Sequence, residues 1–341
     1  MGQTCGCLDG EVGRDEVKLE ISQHTLPENP PPKKRLLNLA DVTPADVTFS
    51  NTNAVLSPIA SRKGSQPFSF MSDLHLFSVR ELTPVVEGSC TSFFSSNTNL
   101  LMTRQAEHSS QLPGRSTYVG EWDSKRRRHG YGTEVLADGS RYVGYFRKDL
   151  RHGKGKLTRP TGETYDGFFH KGMACGLGHY VQPDGSEYRG QFQNDLQHGE
   201  GTETYANGST YQGAFRNGMK EGYGQFHWPS GSVYTGHFHK NFQWGQGTMQ
   251  WVNGKSYTGD WRRGTVHGRG TFRWPDGRVY VGEYAHDKKE GVGQLTWPSG
   301  QNFCGQWKAG AQHGPGTLVT SAGRTITGVW HCGKLSRWTE T

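Results

Sequence analysis

The chain has 341 residues and a formal net charge of +7. The basic excess lies after residue 117, where 28 Lys and Arg oppose 19 Asp and Glu, and all ten Trp and fourteen Tyr lie there too. The six cysteines form no CxxC pair, and there is no run of about 20 apolar residues. The sequence therefore argues against a secreted disulfide framework and a transmembrane helix, and we expect an intracellular, reducing location.

Residues 1–65 are rich in Ser, Thr, Asn and Pro and are predicted to be a disordered tail. The first seven residues, MGQTCGC, place Gly2 directly after the initiator Met, as N-myristoylation requires, with Cys5 and Cys7 beside it as S-palmitoylation sites. The myristoylation rule asks for Ser or Thr at the sixth position, where this chain has Gly6. The alternative is an unmodified tail with incidental cysteines.

Stable anchoring needs more than one lipid chain, because a single myristoyl group gives only marginal membrane binding. Palmitoyl groups, or the basic run at 33–35, would supply the second signal. Residues 66–117 are predicted to be a linker or an N-terminal cap of the repeat region, with the apolar segment FMSDLHLFSVRELTPVV as the capping element. Residues 336–341 are predicted to be a C-terminal tail.

Residues 118–335 repeat with a period of 23, and one residue is inserted in the first unit. A glycine follows each unit start by two residues, an aromatic residue follows by four, and a Gly-x-Gly pair and an Asn-Gly, Asp-Gly or Ser-Gly pair come later in most units. We count nine full units and a partial tenth. The nine starts are Tyr118, Tyr142, Tyr165, Tyr188, Tyr211, Tyr234, Tyr257, Tyr280 and Phe303.

The spacing within a unit predicts β-hairpins. Residues two apart lie on one face of a strand, and Asn-Gly and Asp-Gly favour tight reversals. Two strands at about 4.8 Å give about 10 Å per unit, so nine units span roughly 90 Å. The expected fold is therefore all-β: an elongated single-sheet solenoid of tandem 23-residue hairpins, in which each unit contacts only its neighbours.

The many glycines are predicted to lie beneath aromatic rings of neighbouring strands. In the stretch EGYGQFHWPSG the period-2 pattern places Gly222, Gly224, Phe226 and Trp228 on the same face. Stacked rings then replace the second layer that a single sheet lacks.

The unit YQGAFRNGMKEGYGQFHWPSG resembles the MORN repeat (membrane occupation and recognition nexus). The resemblance covers about residues 118–335. It implies a non-catalytic binding array of the kind found in scaffolds at membranes, cilia and cytoskeletal structures. We therefore expect no enzymatic activity.

Histidines recur before the Gly-x-Gly pair at His129, His152, His198, His267 and His313. Equivalent positions in successive units are about 10 Å apart, which is too far for two of them to share a zinc ion. The NGKS stretch lacks the first glycine of a phosphate-binding loop. We therefore expect no metal and no cofactor.

One repeat column becomes aromatic in the second half of the array. It comprises Tyr205, Trp228, Trp251, Trp274 and Trp297. Either these rings complete the packing of the sheet, or they line a groove for a helix or an extended peptide of a partner protein.

The first units carry a predicted basic patch. Either it contacts an anionic membrane surface, or its charged side chains only keep the surface of the hairpins solvated. Its members are Lys125, Arg126, Arg127, Arg128, Arg147, Lys148, Arg151, Lys154 and Lys156.

Together these features predict a non-enzymatic scaffold that binds a protein partner along the repeats and is tethered to the cytoplasmic face of a membrane by an acylated N-terminus. One alternative is a module that binds anionic phospholipids directly. Another is a soluble cytoskeletal or ciliary protein whose array forms a homodimer. Nothing in the sequence favours a nucleic-acid partner.

Overall fold

The computed structural model describes the backbone of residues 108–111 and residues 116–338 in full. The predicted acylation sites Gly2, Cys5 and Cys7, the tail 1–65 and the apolar segment 70–86 lie outside these residues. The acylation, disorder and capping predictions therefore remain predictions.

Residues 108–111 and 116–338 form strands, turns and loops, with no helix. The 21 strands belong to one sheet, in which each strand pairs antiparallel with the strands before and after it in the chain. This open sheet of tandem hairpins confirms the predicted fold class. The strands are β1 (His108–Gln111), β2 (Thr117–Trp122), β3 (Arg128–Val135), β4 (Arg141–Arg147), β5 (Leu150–Thr158), β6 (Thr164–His170), β7 (Met173–Val181), β8 (Glu187–Gln193), β9 (Leu196–Thr204), β10 (Thr210–Arg216), β11 (Met219–His227), β12 (Val233–His239), β13 (Phe242–Gln250), β14 (Ser256–Arg262), β15 (Thr265–Arg273), β16 (Val279–Ala285), β17 (Lys288–Thr296), β18 (Asn302–Lys308), β19 (Ala311–Val319), β20 (Thr325–His331) and β21 (Lys334–Trp338).

Strand β1 pairs with β2, the first strand of the first repeat, from His108 opposite Gly120 to Gln111 opposite Thr117. This short strand belongs to the segment predicted to be a linker or cap. It provides backbone partners at that edge of the repeat array.

From β4 onward, a two-residue turn closes each hairpin, whereas the first hairpin is closed by the longer loop of residues 123–127. In the turn after β10, Asn217 and Gly218 have φ of 53° and 79°. Positive φ at both central residues suits the right-handed twist of antiparallel strands, and Asn and Gly tolerate it best. The second turn residue also fastens the turn to the previous repeat, since the Gly218 amide donates to the Gln197 carbonyl at 2.8 Å.

A five-residue loop joins each hairpin to the next. In the loop from Trp228 to Ser232, the Trp228 amide donates to the Ser232 carbonyl at 3.0 Å, and the Gly231 amide donates to the Trp228 carbonyl at 2.9 Å. The same two bonds recur at the corresponding residues of the other loops. The four tryptophans of the predicted groove are therefore the first residues of four such loops.

The core of the sheet is a ladder of aromatic rings on one side, here called the ring face. Tyr211 is fully buried, and its hydroxyl donates to the Ala214 carbonyl at 3.0 Å. Its ring makes edge-to-face contacts with Phe215 and Phe238, with centroids 5.1 and 4.9 Å away. Such pairs contribute about 0.5–1.5 kcal/mol beyond their buried area. The same contacts repeat along the array, so the rings bridge each repeat to the next.

The second glycine of each Gly-x-Gly pair lies beneath an aromatic ring, as predicted, and this ring is a tyrosine in every unit but the ninth, where Phe303 covers Gly316. Gly224 lies opposite Gly213, and a Cβ at Gly224 would lie 2.5 Å from the Tyr211 hydroxyl oxygen. The first glycine has a different role, and its predicted place on the ring face is wrong. Gly222 has φ of +81° where the register of the hairpin shifts, and a Cβ there would contact Ala214 on the opposite side of the sheet. Glycine is favoured there because of its backbone conformation.

Candidate binding site

The predicted aromatic groove lies on the ring face and is largely filled by the chain itself. Trp228, Trp251 and Trp274 are only 7–8% exposed, while Tyr205 and Trp297 are partly buried against the core. The Trp228 ring packs on Phe226 with centroids 4.5 Å apart. Completing the ring packing therefore takes up most of the surface of the tryptophans. Partner binding by this column stays a prediction.

Two members of the predicted basic patch are engaged on the ring face. Arg128 and Arg151 both pair with the buried carboxylate of Glu134, and the Arg151 guanidinium lies 2.9 Å from a Glu134 oxygen. The two guanidinium groups also stack on rings, Arg151 over Tyr142 at 5.0 Å and Arg128 over Phe146 at 5.2 Å. These cations hold two repeats together and leave little charge for an outside partner.

A second buried ion pair joins Glu203 and Lys220, which lie 3.1 Å apart with both side chains about 7% exposed. Tyr205 completes the cluster: its hydroxyl donates to Glu203 and accepts from Lys220. Burial and the neighbouring Glu203 carboxylate raise the pKa of Tyr205 far above its usual value. Tyr205 is thus part of an internal polar network that the sequence analysis did not anticipate.

The remaining predicted basic residues separate into three places. Lys125, Arg126 and Arg127 lie in the loop between β2 and β3, where Arg127 pairs with Asp123 at 2.7 Å and holds the pKa of that carboxyl at about 2. Arg147 and Lys148 lie at the turn after β4 and are exposed. Lys154 and Lys156 project from β5 on the side opposite the ring face, here called the open face.

Lys154 and Lys156 border an open depression of about 490 Å³ on the open face of β3 to β6. Tyr131 and Tyr145 also line it, and their rings meet edge to face with centroids 5.4 Å apart. Both rings are nearly half exposed. We call this depression, with Arg141 and Asp166 at its wall, the basic-aromatic site.

The basic-aromatic site carries three cations and one carboxylate among its lining residues. Its tyrosines and Arg141 were missed by the sequence analysis, which followed the invariant columns of the repeat. The available signal was the alternation within each strand: Tyr145 and Lys156 occupy the positions between ring-face residues, so both point away from the core.

The histidines before the Gly-x-Gly pairs lie near the start of the second strand of their hairpins. The His152 ring lies 5.1 Å from the His170 ring, and burial followed by the His170 charge lowers the pKa of His152. Burial also lowers the pKa of His198. His152, His267 and His313 each contact a histidine of the next repeat. These contacts join positions that are not equivalent in the repeat, so the 23-residue spacing did not reveal them.

The structure thus defines a class: a tandem-repeat β-sheet protein with one packed face and one open face. Across residues 116–338 we find no helix of the length and hydropathy needed to span a membrane. The MORN-repeat family model matches nine consecutive segments, and the chain belongs to the MORN-repeat family. The matched segments are 118–141, 142–164, 165–187, 188–210, 211–233, 234–256, 257–277, 280–301 and 303–323.

Curated proteins give no match to the chain. Among solved structures, the SAS-4 TCP domain of Drosophila melanogaster, in complex with a proline-rich motif of Ana2, is 13% identical with a TM-score of 0.30, covering 52% of this chain and 90% of that one. The TCP10 domain of Danio rerio CPAP, in complex with a STIL peptide, is 15% identical with a TM-score of 0.26, covering 69% of this chain and 100% of that one. These likenesses are too low to transfer a function.

Proposed function

We propose that the protein is a non-enzymatic scaffold that binds an acidic, extended segment of a partner protein at the basic-aromatic site, while an acylated N-terminus tethers it to the cytoplasmic face of a membrane. Membership of the MORN-repeat family supports the scaffold part of this proposal. The observation that carries the binding part is the depression itself.

The chemistry of the site favours a protein segment with carboxylates beside apolar or aromatic side chains. Lys154 and Lys156 alternate along β5 with Gly155, so their ammonium groups project from the same face. Tyr131 and Tyr145 offer exposed ring surface next to them. A volume of about 490 Å³ lies within the range of about 300–1,000 Å³ that is usual for ligand sites. It suits a few residues of an extended chain.

The ring face supports this proposal indirectly, because the core packing uses its residues and leaves the open face available for contacts. Binding to a preformed surface avoids the cost of ordering it. The open-face residues, which alternate along each strand with the buried ring-face residues, can therefore differ from repeat to repeat. A scaffold can therefore differ in chemistry along its length while the packing stays constant.

The partner-binding part is tested by proximity labelling in cells with three forms of the full chain. These are the native protein, the Lys154→Glu/Lys156→Glu variant, and a Lys240→Glu/Lys308→Glu control that makes the same charge change at exposed residues of other repeats. We expect the Lys154→Glu/Lys156→Glu variant to lose a defined set of labelled proteins that the native protein and the control both retain. Equal labelling by all three forms would contradict the proposal.

The tether is tested separately by Gly2→Ala and by mass spectrometry of the mature N-terminus. We expect a myristoyl group on Gly2, palmitoyl groups on Cys5 or Cys7, and release of the Gly2→Ala variant from membranes. An unmodified or acetylated N-terminus would refute the tether and leave the partner site untouched.

Direct binding of anionic phospholipid is a second candidate, favoured by the three cations on the open face. Sedimentation of the unacylated full chain with phosphatidylserine vesicles at physiological salt separates the two. Strong binding that is lost in Lys154→Glu/Lys156→Glu would favour lipid over a protein partner.

A further inference from the structure

The structure brings three metal-binding side chains together where the ninth repeat meets the partial tenth. His313 lies near the start of β19, His331 ends β20, and Cys332 is the first residue of the turn that follows. Their ligand atoms, one from each residue, all lie within 4.8 Å of one another. Among residues 116–338, this is the one place where three potential metal ligands of this kind lie so close together.

The backbone explains why the three residues meet. Gly314 lies opposite Trp330 in the β19–β20 pairing, so His313 and His331 are the next residues along that ladder. Their rings lie 5.1 Å apart. The Gly333 amide donates to the Gln312 carbonyl at 2.9 Å, which holds the turn carrying Cys332 against the strand carrying His313. Cys332 has φ of 48°, the left-handed conformation of the first residue in these turns.

We propose that His313, His331 and Cys332 form a Zn²⁺ site. Zinc takes imidazole nitrogens at about 2.0–2.1 Å and a thiolate sulfur at about 2.3 Å in tetrahedral sites. Two such ligand atoms are then about 3.5 Å apart. Small rotations of the side chains would bring the ligand atoms from their present separations to about 3.5 Å. His331 and Cys332 are exposed, so their side chains have room to rotate. A fourth position stays open to water.

The donor set selects zinc over the hard cations. Two imidazoles and one thiolate suit zinc or copper, whereas magnesium and calcium require oxygen ligands. On binding, the Cys332 thiol loses its proton to solvent and the sulfur donates an electron pair to the metal. No oxidant or reductant takes part.

Other repeats show what the last one adds. His152 and His170 form a similar ring pair, but Lys171 occupies the turn position that Cys332 holds. His267 contacts His286, but Ala285 occupies the position of His331. Those pairs offer two ligands each. The affinity for Zn²⁺ should therefore be higher at His313, His331 and Cys332, which offer a third ligand.

The test uses the full chain without a histidine tag, kept reduced and stripped of metal. Co²⁺ replaces Zn²⁺ as a spectroscopic probe, because a thiolate bound to Co²⁺ gives a charge-transfer absorption band. Zn²⁺ affinity is measured by calorimetry. The variants are Cys332→Ser and His313→Gln, with Cys304→Ser as the control at another exposed cysteine and His152→Gln as the control at the two-histidine pair.

We expect Cys332→Ser to abolish the Co²⁺–thiolate band of this site and His313→Gln to weaken Zn²⁺ binding at least about tenfold. Both controls should keep the band and the affinity. Retention of the full band in Cys332→Ser, or its loss in Cys304→Ser, would overturn the proposal. Melting curves without metal verify folding, and Cys332→Ser at an exposed turn should leave them unchanged.

Discussion

The ring face and the open face are built from alternate residues of the same strands, yet they obey different rules. On the ring face the same tyrosine, glycine and aromatic positions recur from β2 to β19. On the open face the equivalent of Tyr145 is Phe168, Ala214 or Asp260. The ring-face residues recur because every hairpin needs them for packing. The open-face residues are not constrained in this way, so the chemical differences between repeats lie there.

The ion pairs refine this comparison. The ring-face column that carries Phe226 and Met249 carries Glu instead at Glu134 and Glu203. In both cases the residue 17 positions later, Arg151 or Lys220, is the cation that pairs with it. A buried carboxylate is costly without a partner. The substitution of an apolar residue by Glu is therefore matched by a cation in the next repeat.

The largest predicted effect is alkaline unfolding through the ring face. Burial raises the pKa of Tyr118 to about 12 from its usual 10.0, and it raises the pKa of the other buried ladder tyrosines in the same direction. Above pH 10 the unfolded chain releases these protons while the folded chain retains them. The stabilisation is therefore complete below pH 10 and is lost as the pH rises through the raised values.

Circular dichroism and tyrosinate absorbance, followed together, check this prediction. We expect the buried ladder tyrosines to ionise in the same cooperative step in which the β-sheet signal is lost, above pH 10, because opening the ladder exposes many tyrosines at once. Ionisation of the buried ladder tyrosines near pH 10 with the β-sheet signal retained would contradict the prediction, because it would show that water reaches these rings in the folded sheet.

The second prediction compares one tyrosine from each face on neighbouring strands. Tyr211→Ala removes a fully buried ring and should lower the free energy of unfolding by about 3–5 kcal/mol. Tyr223→Ala removes a ring that is 60% exposed on the open face and should change it by less than about 0.5 kcal/mol.

Urea midpoints measured with the same optical probe serve this comparison, because repeat arrays do not always unfold in two states. Equal losses from the two variants would mean that the open face also carries core packing. A small loss from both would mean that neighbouring repeats compensate for a missing ring.

The third prediction concerns the buried ion pair. Lys220→Met leaves the Glu203 carboxylate buried without its cation and should cost about 3 kcal/mol. Glu203→Leu combined with Lys220→Met makes the cluster resemble repeats that carry Met249 and Val266, and should recover most of the loss. Urea unfolding of the two variants checks this. No recovery in the double variant would show that the polar network with Tyr205 is itself required.

Much of this fold could be predicted from the sequence, because a 23-residue period, paired glycines and Asn-Gly turns each have a local physical meaning. The predicted burial of Gly224 beneath a ring is confirmed, whereas Gly222 was misplaced because a register shift breaks the period-2 rule within one strand. Contacts between non-equivalent columns could not be predicted from the period. The Glu203–Lys220 pair, the basic-aromatic site and the His313–Cys332 cluster all arise from such contacts.

The smallest predicted effect separates the two faces at neighbouring residues of β14. Tyr257→Phe removes a buried hydroxyl that donates to the Asp260 carbonyl at 3.0 Å, which should cost about 1 kcal/mol. Thr258→Val removes an exposed hydroxyl that pairs with Thr248 at 3.0 Å, which should cost less than about 0.5 kcal/mol because water replaces the lost partner. Each variant deletes one hydroxyl and keeps the shape of the side chain. Thermal and urea unfolding of both variants measures the difference, and a larger loss from Thr258→Val would reverse the assignment of structural and variable faces.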